Sequence, residues 1–154
     1  MSRFVFIDVD GVLNNTACFR YNWGIRVAAD PRCVAALNRV VKETGAELVL
    51  SSAWRREGLK FCREKFRQWG VEAPLIGRTT ISMPNAPRGL EIADWLDKHA
   101  PQANFVILDD TDDMAHLKHR LIQTDFDRGL TQADARRAIR LLDGAGKISD
   151  EEAA

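Results

Sequence analysis

Short apolar runs that stop at polar residues alternate along this chain with stretches whose apolar residues recur every three or four positions. Residues 4–7 (FVFI), 47–50 (ELVL) and 105–108 (FVIL) are runs of strand length, with shorter ones at 75–77 and 121–123. Runs of this length, bounded by turn residues, predict buried strands. Between them, Val34, Leu37, Val40 and Val41 share one helical face. It is preceded by Asp30-Pro31, an N-cap with proline at the first helical position, and Gly45 ends it. Leu59, Cys62, Phe66 and Trp69 form a second such face. Residues 89–99 form a third, read with Leu90, Ala93 and Leu96 inward. Ala135, Ala138, Ile139 and Leu142 form a fourth, opened by Thr131 with Asp134 three places on as a capping box. Residues 14–29 have no clear period and predict a long loop or flap.

Strand and helix patterns in alternation predict an α/β domain built on a mainly parallel sheet. With 154 residues the chain suits one domain, expected over residues 2–143, and the acidic, alanine-rich stretch 144–154 is expected to be a frayed tail. The 22 Lys+Arg balance 22 Asp+Glu, which argues against binding long nucleic acid by bulk charge and leaves room for a local basic patch. Cys18, Cys33 and Cys62 are sparse and contain no C-x-x-C, so reduced thiols and the cytoplasm are expected, rather than a zinc site or a secreted scaffold. No signal peptide pattern opens the chain, and no apolar stretch reaches the roughly 18 residues of a membrane span.

Where the strands stop carries the chemistry. The first ends in Asp8, with Asp10 and Gly11 following; the second ends in Ser51 and Ser52; the fourth ends in Asp109 and Asp110, with Asp113 close behind. Residues i and i+2 of an extended chain point the same way, so Asp8 and Asp10 can face one point. In a parallel sheet all these ends lie on one edge, the edge where α/β proteins bind ligands. Several carboxylates gathered there require a cation, and all-oxygen donors suit Mg²⁺. Ser51 and Ser52 offer hydroxyl and N–H groups beside a helix start, which suits a phosphate. Arg88, just before the third helix, can bring positive charge to the same group.

DVDGVLN (8–14), LVLSS (48–52) and ILDDTDD (107–113) resemble the first, second and fourth motifs of the haloacid dehalogenase-like (HAD) hydrolase superfamily. More narrowly, SSAWR (51–55), ILDD (107–110) and QTDFDRGLT (123–131) resemble the HAD domain of Swiss Army Knife RNA repair proteins, a likeness that covers nearly the whole chain. The resemblance implies a Rossmann-like three-layer sandwich with a five-stranded sheet. The helix-bearing gaps between the motifs leave no room for a large cap domain. It implies a Mg²⁺-dependent phosphatase with Asp8 as nucleophile and Asp10 as general acid and base. The metal would sit on Asp8, the Asp10 carbonyl and Asp110, with Asp109 or Asp113 assisting. Ser51 and Arg88 would hold the phosphate, with Ser52 second to Ser51 and Arg78 competing with Arg88. Phosphorylated RNA ends are the implied substrate. The alternatives are a small-molecule, nucleotide-type phosphatase and a receiver-like signalling domain.

Other residues have plainer readings. Arg56, Lys60, Arg63 and Arg67 recur at helical spacing and read as a solvated face in preference to a nucleic-acid stripe. Arg55, directly after SSAW, is expected near the phosphate. Asp112 is expected to face solvent. Tyr21 and Trp23 either stack on a base or pack the loop onto the domain. His99, His116 and His119 lie outside the motifs and receive no role.

Overall fold

A computed structural model describes residues 2–21, 29–80 and 85–144. Five parallel strands form one sheet in the order β3-β2-β1-β4-β5: β1 is Arg3–Ile7, β2 Glu47–Leu50, β3 Leu75–Arg78, β4 Asn104–Asp109 and β5 Leu121–Gln123. The helices are α1 (Thr16–Tyr21), α2 (Pro31–Thr44), α3 (Leu59–Trp69), α4 (Arg88–His99) and α5 (Gln132–Leu142). Two 3-10 turns, Ala53–Glu57 and Ala115–Arg120, complete the path. The α/β sandwich without a large cap is thus the observed architecture. Among the described residues no helix is long and apolar enough to cross a membrane.

The central strand is apolar on both sides because both sides are covered. Val5 and Ile7 pack with Leu48, Leu50, Val106 and Leu108 against α2, α3 and α5. Phe4 and Phe6 point the other way, with Val49 and Ile107, against α4. There Trp95 meets both phenyl rings edge-on, at 5.2 and 5.6 Å between centroids. Helix termini follow the local chemistry: Asp30 caps α2 by accepting from Arg32 N, Gly45 closes it in the left-handed region, and the Thr131/Asp134 capping box opens α5.

Two sequence expectations change. The stretch 14–29 is not all loop, because α1 occupies Thr16–Tyr21, with Asn15 Oδ1 accepting from Cys18 N at its start. The side chain of Tyr21, Trp23 and the expected tail from 145 onward lie outside the described residues. In α4 the inward face is not phased on Leu90, which is 47% exposed; Ile92, Trp95 and Leu96 are buried, and Ala93 packs at their margin. Gly89 fixes that phase. A Cβ there would lie 1.9 Å from the Met114 carbonyl oxygen, so the first turn of α4 can rest on that backbone only without a side chain.

The topology creates the crevice. From β1 the chain runs outward through β2 to β3, then returns past β1 to β4 and β5. The order reverses between β1 and β4, and open α/β sheets bind ligands outside the strand ends at such a switch point. Ile7 is in register with Leu50 on one side and Leu108 on the other. Asp8, Ser51 and Asp109 are therefore the next residues on three adjacent strands. Asp8 N donates to Leu108 O and Ser51 N to Ile7 O, both at 3.0 Å, which carries the ladder into the site.

Candidate active site

The strand ends line a cleft of about 470 Å³ whose walls include Asp8, Asp10, Ser52, Arg55, Arg56, Arg88, Glu91, Asp110, Asp113 and Phe126. Asp8, Asp109 and Asp110 present carboxylate oxygens within 4.8 Å of one another. Arg88, the first residue of α4, places Nη1 2.8 Å from Asp109 Oδ2 and 3.4 Å from Asp8 Oδ2. One guanidinium thus contacts two of the three carboxylates.

Burial and the Asp109 charge hold the Asp8 carboxyl well above the usual carboxylate range, against the opposing pull of Arg88, the Val9 N–H and the Ser52 hydroxyl. Burial and then Asp109 also raise Asp110. Burial works against the charge of Arg88, but Asp8 and Asp109 more than offset it and raise its pKa. The group has more negative charge than one arginine neutralises, and all its donors are oxygens. It fits a hard divalent cation.

Asp10 sits apart from that cluster. Trp54 Nε1 donates to both of its oxygens at 3.1 Å, and Asn14 Nδ2 to Oδ1 at 3.0 Å. Asn14 Oδ1 also accepts from Gly11 N at 2.9 Å, so one buried amide ties the acid to the turn that carries it. Gly11 has φ of 82° and lies so close to Asp110 and Phe126 that a Cβ would come within 2.7 Å of each. Both its conformation and the close approach require glycine.

Of the two serines, Ser52 is the one that lines the cleft. Its Oγ accepts from Trp54 N at 3.1 Å, capping the 3-10 turn. The fully buried Ser51 Oγ has no hydrogen-bond partner among the described residues. Asp109, also fully buried, accepts from Thr111 N and Oγ1 at 3.0 Å besides Arg88. Asp113 is exposed and outside the carboxylate cluster. Its carboxylate and carbonyl accept from the Arg88 and Gly89 N–H groups at the start of α4, at 3.4 and 3.0 Å. Asp112 faces solvent beside Lys118. Arg78 donates to Arg55 O at 2.7 Å and does not line the cleft, whereas Arg88 does, beside Asp8 and Asp109.

Arg55 does reach the cleft, but as a buried partner of Glu91. Its Nη2 lies 3.0 Å from both Glu91 oxygens, and Nη1 donates to Ser52 O. Burial lowers the Arg55 pKa, and Glu91 opposes that shift. Glu91 follows Arg88 by three residues on α4, so this pair clamps the Arg88-bearing turn to the Ser52-bearing one. Arg67 pairs with Glu64, Arg63 donates to Leu75 O, and only Arg56 of the expected solvated face reaches the cleft. The roles of Trp54, Asn14, Glu91 and Phe126 were not visible in the sequence, although Asn14, Trp54 and Phe126 stood in the quoted DVDGVLN, SSAWR and QTDFDRGLT.

Residues 4–135 match the family described as the HAD domain in Swiss Army Knife RNA repair proteins. The chain belongs to this family. No curated protein and no solved structure matches it. Membership makes this HAD domain a hydrolase of that superfamily. β3 (Leu75–Arg78) is an edge strand of the sheet and carries no carboxylate.

Proposed function

We propose that this HAD domain is a Mg²⁺-dependent phosphatase that works through an aspartyl-phosphate and acts on phosphorylated RNA or other nucleic-acid ends. The observation that carries the reading is the placement of Asp8 against Asp109, Asp110 and Arg88 at the switch point, with a second acid, Asp10, lining the same cleft on its own donors.

Asp8, Asp109 and Asp110 would hold Mg²⁺, with the Asp10 carbonyl as a further donor. Bound there, Mg²⁺ supplies the charge that lets an anionic nucleophile approach an anionic phosphate. Asp8 Oδ attacks phosphorus, and the bond to the leaving oxygen breaks. Asp10 gives that oxygen its proton. The ionised Asp10 then takes a proton from water, whose oxygen attacks the phosphoryl group, releasing phosphate and restoring Asp8. Arg88 and Ser52 bind the non-transferred oxygens as charge builds on them, with the unpartnered Ser51 hydroxyl beside them. Trp54 and Asn14 fix the orientation of Asp10 in both half-reactions.

The lack of a large cap favours a bulky substrate, and the family description points to RNA repair. The sparse cysteines suit the cytoplasm. A panel of phosphomonoesters run with Mg²⁺ and with chelator tests the reading. Turnover that requires Mg²⁺ and prefers a 3′- or 5′-phosphorylated oligonucleotide over a mononucleotide is expected. Equal efficiency on the mononucleotide would replace the nucleic-acid end with a small-molecule substrate.

A further inference from the structure

Two large aromatic side chains are exposed beside the cleft. Phe126, 39% exposed, lines its wall, and its ring packs on Gly11, immediately after Asp10. Phe19 of α1, 42% exposed, stacks on it with centroids 5.5 Å apart and planes 27° from parallel. The pair is braced from behind: Thr16 N donates to Phe126 O at 3.3 Å, and the Thr16 hydroxyl donates to Asp127. Packing within the domain would bury such rings; these are held in a fixed stack and left open to solvent. Arg56 reaches the same cleft from the β2 side, while Phe126 comes from the β5 side, so they flank β1. Arg56 is exposed, with no hydrogen-bond or ion-pair partner among the described residues.

We infer that the Phe19–Phe126 stack is a platform for the nucleobase at a phosphorylated nucleic-acid end, with Arg56 on the opposite wall holding a neighbouring backbone phosphate. The inference rests on the phosphatase reading and narrows its substrate. A base is planar and can continue an existing aromatic stack whatever its sequence, the usual device for single strands. A free cation facing a site rich in carboxylates serves an anion brought by the ligand. Aromatic platform and cation together fit a nucleotide chain, which brings both a planar π-face and a second phosphate; a sugar monophosphate or a phosphorylated aliphatic side chain brings neither.

Equilibrium binding separates this from the phosphatase reading, because it needs no turnover. The Asp8→Asn protein is titrated, by fluorescence anisotropy, into a short 3′- or 5′-phosphorylated oligonucleotide and into the same strand with its terminal base removed. The expected result is about tenfold tighter binding of the strand that keeps its base, in the range that base–aromatic stacking gives. Phe126→Leu or Phe19→Ala should abolish that preference, and Phe126→Trp should keep it. Arg56→Ala should weaken both strands alike and reduce the slope of log affinity against log salt by about 0.7, the value for one phosphate contact on a single strand. Equal affinity for both strands, no binding of either, or a preference that survives Phe126→Leu and Phe19→Ala would overturn the inference. Wild-type turnover of a base-free phosphomonoester judges the phosphatase reading independently.

Discussion

Replacing Asp8 by Asn should make the metal-free protein more stable while removing its activity. Arg88 lies 3.4 Å from the Asp8 carboxylate, and at an effective dielectric constant of about 20 attracts it by about 5 kcal/mol. Burial of the charge, the larger effect, and then the Asp109 carboxylate outweigh that attraction, since together they hold the Asp8 carboxyl well above the usual carboxylate range. An Asn side chain keeps an oxygen for the Val9 N–H, a bond of 2.9 Å, and sheds the charge. A gain of about 1–2 kcal/mol raises the midpoint of a domain this size by about 5 °C. The pH dependence follows from the raised pKa: folding favours protonated Asp8. The contribution of this group to wild-type stability is full below the ordinary value near pH 4 and is lost as pH rises through the folded value. The advantage of Asp8→Asn should therefore be small at about pH 4 and reach its full size above the folded pKa. Thermal unfolding followed by circular dichroism in chelator, at about pH 4 and at a series of higher pH values, measures both. A variant less stable than wild type at the highest pH, or an advantage that does not shrink on acidification, would refute the electrostatic account.

Asp10→Asn should leave unfolding transitions close to wild type and lower kcat by about 10²–10⁴-fold, as expected for loss of a general acid; the loss should be smaller on an aryl phosphate, whose leaving oxygen needs less protonation. Trp54→Phe removes the indole N–H that reaches both Asp10 oxygens and should cost about tenfold in kcat, the upper end of what one hydrogen bond contributes, with little change in KM. Glu91→Ala strands Arg55 as a buried cation and should cost about 3–5 kcal/mol in urea unfolding. It should also raise KM, because the Arg88 turn loses its clamp.

The parts of the fold legible in the sequence were those decided within a few residues of the chain. FVFI followed by Asp8 shows strand, strand end and candidate chemistry in one reading, and the Thr131/Asp134 box marks the start of α5 unaided. Leu90 shows where this fails. Helix α4 carries apolar residues at 90, 92, 93, 95 and 96, enough for two phases, and the choice was made by the contact of Gly89 with the Met114 backbone. Helix α1 is short, and its tie to the loop after β5 through Thr16 is long-range. The same holds within the site. That Asp8, Asp109 and Asp110 meet followed from strand ends on one edge. That Trp54 holds Asp10, 44 residues away, or that Arg55 pairs with Glu91, 36 away, depends on how a turn after β2 leans over β1 and α4, which no local pattern encodes. Between Ser51 and Ser52, the sequence favoured the residue nearer the strand, whereas the 3-10 turn brings Ser52 to the cleft wall.

The proposed mechanism requires a covalent bond between phosphorus and Asp8. Wild-type protein mixed with Mg²⁺ and a phosphorylated oligonucleotide, quenched in acid and digested, should yield a peptide spanning Asp8 that carries one added phosphoryl group by mass spectrometry. That label should be absent with chelator and absent in Asp8→Asn, which should also fail to turn over. Hydrolysis by the wild-type protein with no label at Asp8, together with wild-type-like turnover by Asp8→Asn, would contradict it.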